Sequence, residues 1–167
     1  MGKIYVSRYS NKELLRSGYC PVGISIGTPK WPLGYELQGQ CYALAPKGYM
    51  MNMEPEPFRK AYFEKLDEIG TKKVIAIVRQ LQNMAEARGE TLVLLCYEDI
   101  RLEDQWCHRT LFAEWWKDKT GEEISELPDP SEPKGKKPKA KETKAEAKGE
   151  ETEEGWSQLS IFDILAS

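Results

Sequence analysis

The run Thr91-Leu92-Val93-Leu94-Leu95-Cys96-Tyr97 limits this chain more than any other segment. It is apolar without alternation and bounded by Gly89 and Glu90 before it and Glu98 and Asp99 after it. That is too short for an ordinary helix and too uniform for a strand with one wet face. Such a segment reads as a central strand covered on both sides, the environment found in parallel sheets. Parallel neighbours need crossover connections, so the rest of the chain must supply helices between strands.

It does so in order. Residues 3–9 alternate and are rich in Ile, Tyr and Val, which predicts a first strand. Ser10 is placed to cap a helix over 11–17, with Gly18 as its stop. Val22-Gly23-Ile24-Ser25-Ile26-Gly27 reads as a second strand, and the prolines and glycine of residues 28–34 mark a long loop at its end. Pro57 suits a helix N1 position, and Phe58, Ala61, Tyr62, Lys65 and Leu66 line one side of a helix running to Ile69 and Gly70. Thr71 can cap a second helix over 72–88, in which Val74, Ile77, Val78, Leu81 and Met84 recur at helical spacing before Gly89. A last helix is expected over 107–119, with Leu111, Ala113, Trp115 and Trp116, closed by Gly121. Strands and helices in alternation predict an α/β domain over 1–127, with a small open, mostly parallel sheet flanked by helices.

Composition breaks after Leu127. Residues 128–155 contain no Val, Ile, Leu, Met or aromatic side chain, so they cannot offset ordering entropy by burial and read as a disordered, charged linker. Residues 156–167 restore hydrophobicity and form a third unit. The net charge of -3 gives the whole chain no general attraction to nucleic acid, although a local basic site is allowed. The N-terminus has no signal-peptide pattern and no apolar run is long enough to span a bilayer, so the expectation is a cytoplasmic protein without membrane contact. Cys20, Cys41, Cys96 and Cys107 are irregularly spaced and are expected to be reduced thiols.

Chemistry concentrates in Cys96-Tyr97-Glu98 and Cys107-His108-Arg109-Thr110. Ligands of open parallel sheets bind outside the carboxyl ends of the strands, where Cys96 and Glu98 would fall. A helix starting at Cys107 would bring orphan N–H groups and a positive dipole end to the same edge. His108 and Arg109 there would suit an anion such as the phosphate of a nucleotide or DNA, and the Cys107 thiol would ionise more readily. Cys107, His108 and Arg109 are therefore the catalytic candidates, with Cys96 and Glu98 as ligand-binding candidates. Structural explanations stand beside these: Cys96 as a small core residue, His108 as a hydrogen-bonding residue, Arg109 paired with Glu114 or Asp118, and Glu98 as a solvated loop acid. Cys96, Cys107 and His108 have the right types for zinc, but adjacent Cys and His are poorly spaced for one tetrahedral ion, so no metal is expected. Trp31, Tyr35 and Tyr42 are aromatics that stack a base or pack on the domain. No phosphate loop, dinucleotide fingerprint or catalytic serine motif identifies a cofactor.

Leu94-Leu95-Cys96-Tyr97-Glu98 followed by Cys107-His108-Arg109-Thr110 resembles the signature of the bacterial and phage domain-of-unknown-function family 488, an apolar strand ending in Cys-x-Glu and a Cys-His-Arg-Ser/Thr helix start. Tyr9-Ser10 is similar to the family's strand-end Tyr-Ser, which adds Ser10 to the ligand-binding candidates. The resemblance spans roughly residues 3–127 and implies an α/β fold with a polar site, without supplying a substrate. The chain departs from the family at Ser25-Ile26-Gly27, where many members carry Asp-Val-Arg.

Gln158-Leu159-Ser160-Ile161-Phe162 resembles the pentapeptide that binds the bacterial DNA polymerase sliding clamp, Gln-Leu-Ser/Asp-Leu-Phe, with one Leu-to-Ile change. Gln158 would supply a directional amide hydrogen bond, and Leu159, Ile161 and Phe162 would fill apolar pockets. A flexible linker of about 30 residues reaches roughly 30 Å, enough for a tethered domain to search neighbouring DNA. The sequence thus predicts a replication or repair accessory protein. A non-enzymatic clamp ligand or competitor, of bacterial or phage origin, and a terminal segment folded back on the domain are the alternatives it leaves open.

Overall fold

The computed structural model of the chain describes residues 2–133. The clamp-like peptide Gln158 to Phe162 and the linker beyond Pro133 lie outside the described residues. The strands are β1 (Ile4–Arg8), β2 (Tyr19–Gly23), β3 (Gly39–Gln40), β4 (Thr91–Cys96) and β5 (Ser125–Glu126). The α-helices are α1 (Pro55–Ile69), α2 (Thr71–Ala87) and α3 (His108–Thr120). The sheet order is β3-β2-β4-β1-β5 and every pairing is parallel.

The uniform apolar run is the central strand. Its Leu92 and Leu94 side chains pack with Ile4, Val6, Cys20 and Val22 against Phe58, Tyr62 and Leu66 of α1, Val74, Ile77, Val78 and Leu81 of α2, and Phe112, Trp115 and Trp116 of α3. Its other face, Val93 and Leu95, meets Tyr9, Leu14 and Leu127, with Leu33, Tyr35 and Leu37 of the long loop packed over them. The α-helices thus share one face, and a loop and a short turn cover the other. Each fully buried Leu on such a face contributes about 1.5–3 kcal/mol relative to exposure.

Several local expectations shift. Asn11, not Ser10, caps a single 3-10 turn, Lys12–Leu15: its Oδ1 accepts from the Glu13 N–H at 2.8 Å. Residues 11–17 offer too few apolar positions for a longer helix to bury. The second strand begins earlier, at Tyr19, and includes Pro21. Pro21 and Gly23 turn their carbonyls toward the β3 side, accepting from Gln38 and Cys41, so the N–H that proline lacks would face the shorter partner strand. Helix α1 starts at Pro55, and Pro57 is tolerated because the first turn's N–H groups have no helical acceptor. Gly70, with φ 111°, takes a conformation closed to side-chain-bearing residues and lets α1 run directly into α2, so Thr71 is the first residue of α2 rather than its cap. Among the described residues, no helix is long and apolar enough to cross a membrane.

Candidate functional site

Strand β4 ends at Cys96 on the carboxyl edge of the sheet, and α3 starts twelve residues later at His108, with Cys107 as its N-cap. Cys107 is extended, φ -149° and ψ 147°, while His108 is already helical. That change of backbone direction turns two adjacent side chains toward one point. Neighbouring Cys and His, poorly spaced in sequence for one tetrahedral ion, are thus brought to one point: Cys96 Sγ, Cys107 Sγ and a ring nitrogen of His108 all lie within 4.8 Å of one another. All three residues are buried, and both thiols are free.

The ring of His108 is held on several sides. Its Nε2 lies 2.6 Å from the Ile24 carbonyl oxygen, which can only accept, so Nε2 carries the proton and donates. Nδ1 faces the sulfurs, 3.4 Å from Cys96 Sγ and 3.9 Å from Cys107 Sγ. Tyr62 packs edge-on against the ring with centroids 5.4 Å apart, and Tyr62 Oη donates to the Leu44 carbonyl at 2.6 Å. The Ile24 carbonyl sits beside a buried polar network in which Tyr9 Oη lies 2.6 Å from Ser25 Oγ and 3.1 Å from Gln40 Oε1. Gln40 Nε2 donates to the Ser25 carbonyl at 2.9 Å. The Gln40 side-chain amide and the Tyr9 hydroxyl occupy the space a Cβ on Gly23 would need, so this network requires glycine at position 23.

Glu98 borders the sulfurs, with Oε1 3.8 Å from Cys96 Sγ. Burial first, and then the neighbouring Cys107, push its carboxyl up to about 8. Burial also pushes the Cys96 thiol far up, reinforced by Cys107. For Cys107 burial works the same way but is outweighed: hydrogen bonds with Cys96 and His108 and the Arg109 charge hold its thiol well below the ordinary range. The pair thus splits, with Cys107 the sulfur that carries negative charge more readily, as its place at a helix start suggests.

Arg109 does a different job from the one its position predicted. Its side chain is 1% exposed: Nη1 donates to the Glu98 carbonyl at 2.8 Å, and Nη2 and Nε donate to the Glu126 carboxylate at 2.7 and 3.2 Å. With its guanidinium committed to β5 and to the backbone after β4, Arg109 positions Glu98 rather than cradling an anion. Its partner is neither Glu114, which pairs with Arg59, nor Asp118. Ser10 is exposed in the turn after β1, while its neighbour Tyr9, in the same turn, is buried.

Of the loop aromatics, Tyr35 donates its hydroxyl to the Tyr9 carbonyl and packs on the domain, whereas Trp31 stays 42% exposed beside Tyr97. Trp106, next to Cys107 and edge-on to Phe58, is 37% exposed. Tyr9, Gln40 and Glu126 were given no role by the sequence. Only the Tyr9-Ser10 pair carried a signal for them, and it pointed to the wrong partner of the two. No family model, curated protein or solved structure matches the chain.

Proposed function

We propose that this protein is a DNA-metabolism accessory factor whose α/β domain binds or processes a nucleotide or DNA at the Cys96, Glu98, Cys107 and His108 edge, and whose terminal peptide docks on the bacterial sliding clamp. The observation that carries the domain's part is the convergence of two thiols, an imidazole nitrogen and a carboxyl at the carboxyl end of a central parallel strand. Apolar residues would fill these positions without the cost of burying polar groups, so the cluster is explained by chemistry better than by stability. Trp31 and Trp106 offer half-exposed indoles beside the segments that carry it, the kind of surface on which bases stack. The residues that resemble family 488 are those of the cluster, and the proposal extends to membership of that family.

The tether rests on the Gln158-Leu159-Ser160-Ile161-Phe162 peptide and its charged lead without Val, Ile, Leu, Met or aromatic residues. Calorimetric titration of the full chain against purified bacterial clamp tests it. Micromolar binding is expected, weakened roughly thirtyfold or more by Gln158→Ala with Phe162→Ala, as for loss of anchor residues. Cys107→Ser and His108→Gln chains should bind the clamp as the parent does. No binding, or binding indifferent to Gln158 and Phe162, defeats the tether.

A further inference from the structure

We propose that Cys96 Sγ, Cys107 Sγ and His108 Nδ1 bind a divalent, thiophilic metal ion, zinc in the first instance, with the fourth position bordered by Glu98. This deepens the reading of the domain's edge as a reaction centre and is independent of the clamp tether. Geometry is the main argument. Donors around one tetrahedral zinc, with Zn–S near 2.3 Å and Zn–N near 2.0 Å, stand about 3.5 Å apart for each nitrogen and sulfur pair. The His108 Nδ1 separations of 3.4 and 3.9 Å from the two sulfurs bracket that value.

The second argument is the orientation of the ring. Metal-binding histidines commonly donate their other ring N–H to a backbone carbonyl or carboxylate, which fixes the tautomer and aims the free lone pair. His108 Nε2 does this to the Ile24 carbonyl. The edge-on Tyr62 ring and the Tyr9, Ser25 and Gln40 network beside Ile24 hold both partners in place. Charge is the third. Two thiolates buried together are costly alone, and a dication between them leaves a neutral unit. Arg109 does not disturb that balance, because Glu126 already compensates it. Three protein donors leave a fourth position, and Glu98, with Oε1 3.8 Å from Cys96 Sγ, stands next to it.

The test uses the full chain, purified without added chelator and kept reduced. Elemental analysis should find a single equivalent of zinc. Exchange into cobalt(II) should give the intense visible absorption of a tetrahedral site with sulfur-to-cobalt charge transfer. Cys96→Ser, Cys107→Ser and His108→Gln should lose that absorption, whereas Cys20→Ala, a buried cysteine in β2, should keep it. Should a ligand variant misfold, the parent chain still decides: absence of stoichiometric zinc, together with no cobalt absorption and free titration of both thiols, overturns the proposal. That result leaves clamp binding untouched, and loss of clamp binding leaves the metal untouched, so the two readings fail separately.

Discussion

The helix-covered face of the sheet and its carboxyl edge are built from the same strands, yet they obey different rules. On the face, Val6, Val22 and Leu94 meet three helices through side chains without hydrogen-bonding demands, and burial alone holds them. At the edge, two residues further along β4, buried Cys96 joins His108, Glu98 and the Tyr9, Ser25 and Gln40 network, where each polar atom needs a partner in a set place. The face tolerates some repacking because dispersion contacts are many and individually small, whereas the edge depends on a few directional bonds. Apolar burial is concentrated in the first region and buried polar groups in the second.

Breaking the face should have the largest effect on folding. Leu94→Ala removes a fully buried side chain between β1, β2 and the helices. It should lower the unfolding free energy by about 3 kcal/mol, read by urea denaturation. The reactivity of the Cys107 thiol should stay close to that of the parent under native conditions.

Gly23→Ala sharpens the contrast from the other side. The new methyl would displace Gln40 and Tyr9, at a cost of about 1–3 kcal/mol for overpacking. Because these residues flank the carbonyl that orients His108, the reaction of the thiols with a disulfide reagent should change more here than in Leu94→Ala. An unchanged thiol rate would show that the network does not hold the site.

The smallest effect belongs to an ionic cluster beside both regions. Arg8 pairs with Asp129 and Asp99, and Arg101 bridges the same two acids. Hydrogen bonds from Arg101 hold Asp99 below its usual range, and for Asp129 the Arg8 and Ser131 bonds outweigh a burial cost of opposite sign. Since both folded carboxyls are depressed, the unfolded chain binds protons first. Their stabilisation is therefore present above the ordinary Asp value near 3.9 and is lost as pH falls through the lower folded values. Denaturation at stepped pH should show a loss of about 1 kcal/mol or less below pH 4, absent from an Asp99→Asn, Asp129→Asn chain.

Much of the frame was legible because it depends on local pattern. The Leu92 to Cys96 run could only be central, the spacing of Val74, Ile77, Val78 and Leu81 could only be helical, and Gly121, with φ 83°, ends α3 where a left-handed stop was expected. Strands β3 and β5 were not legible, because two residues carry no periodicity. Pro21 hid the true start of β2, since a proline's missing N–H matters only on the side where a neighbour needs it. The link from Arg109 to Glu126 joins residues 17 positions apart through the placement of β5, and no spacing rule anticipates it.

The sequence by itself determined that this chain has an α/β domain and put reactive side chains at the end of one strand and the start of one helix. It also set a charged stretch without Val, Ile, Leu, Met or aromatic residues and a short hydrophobic segment after that domain, since composition is a property of neighbouring residues. Only the tertiary structure decided that Cys96, Cys107 and His108 converge, that Tyr9 rather than Ser10 enters the site, and that Arg109 is bound to Glu126. Those outcomes depend on the direction each side chain leaves the backbone and on strands brought together by parallel pairing, which a linear pattern does not contain.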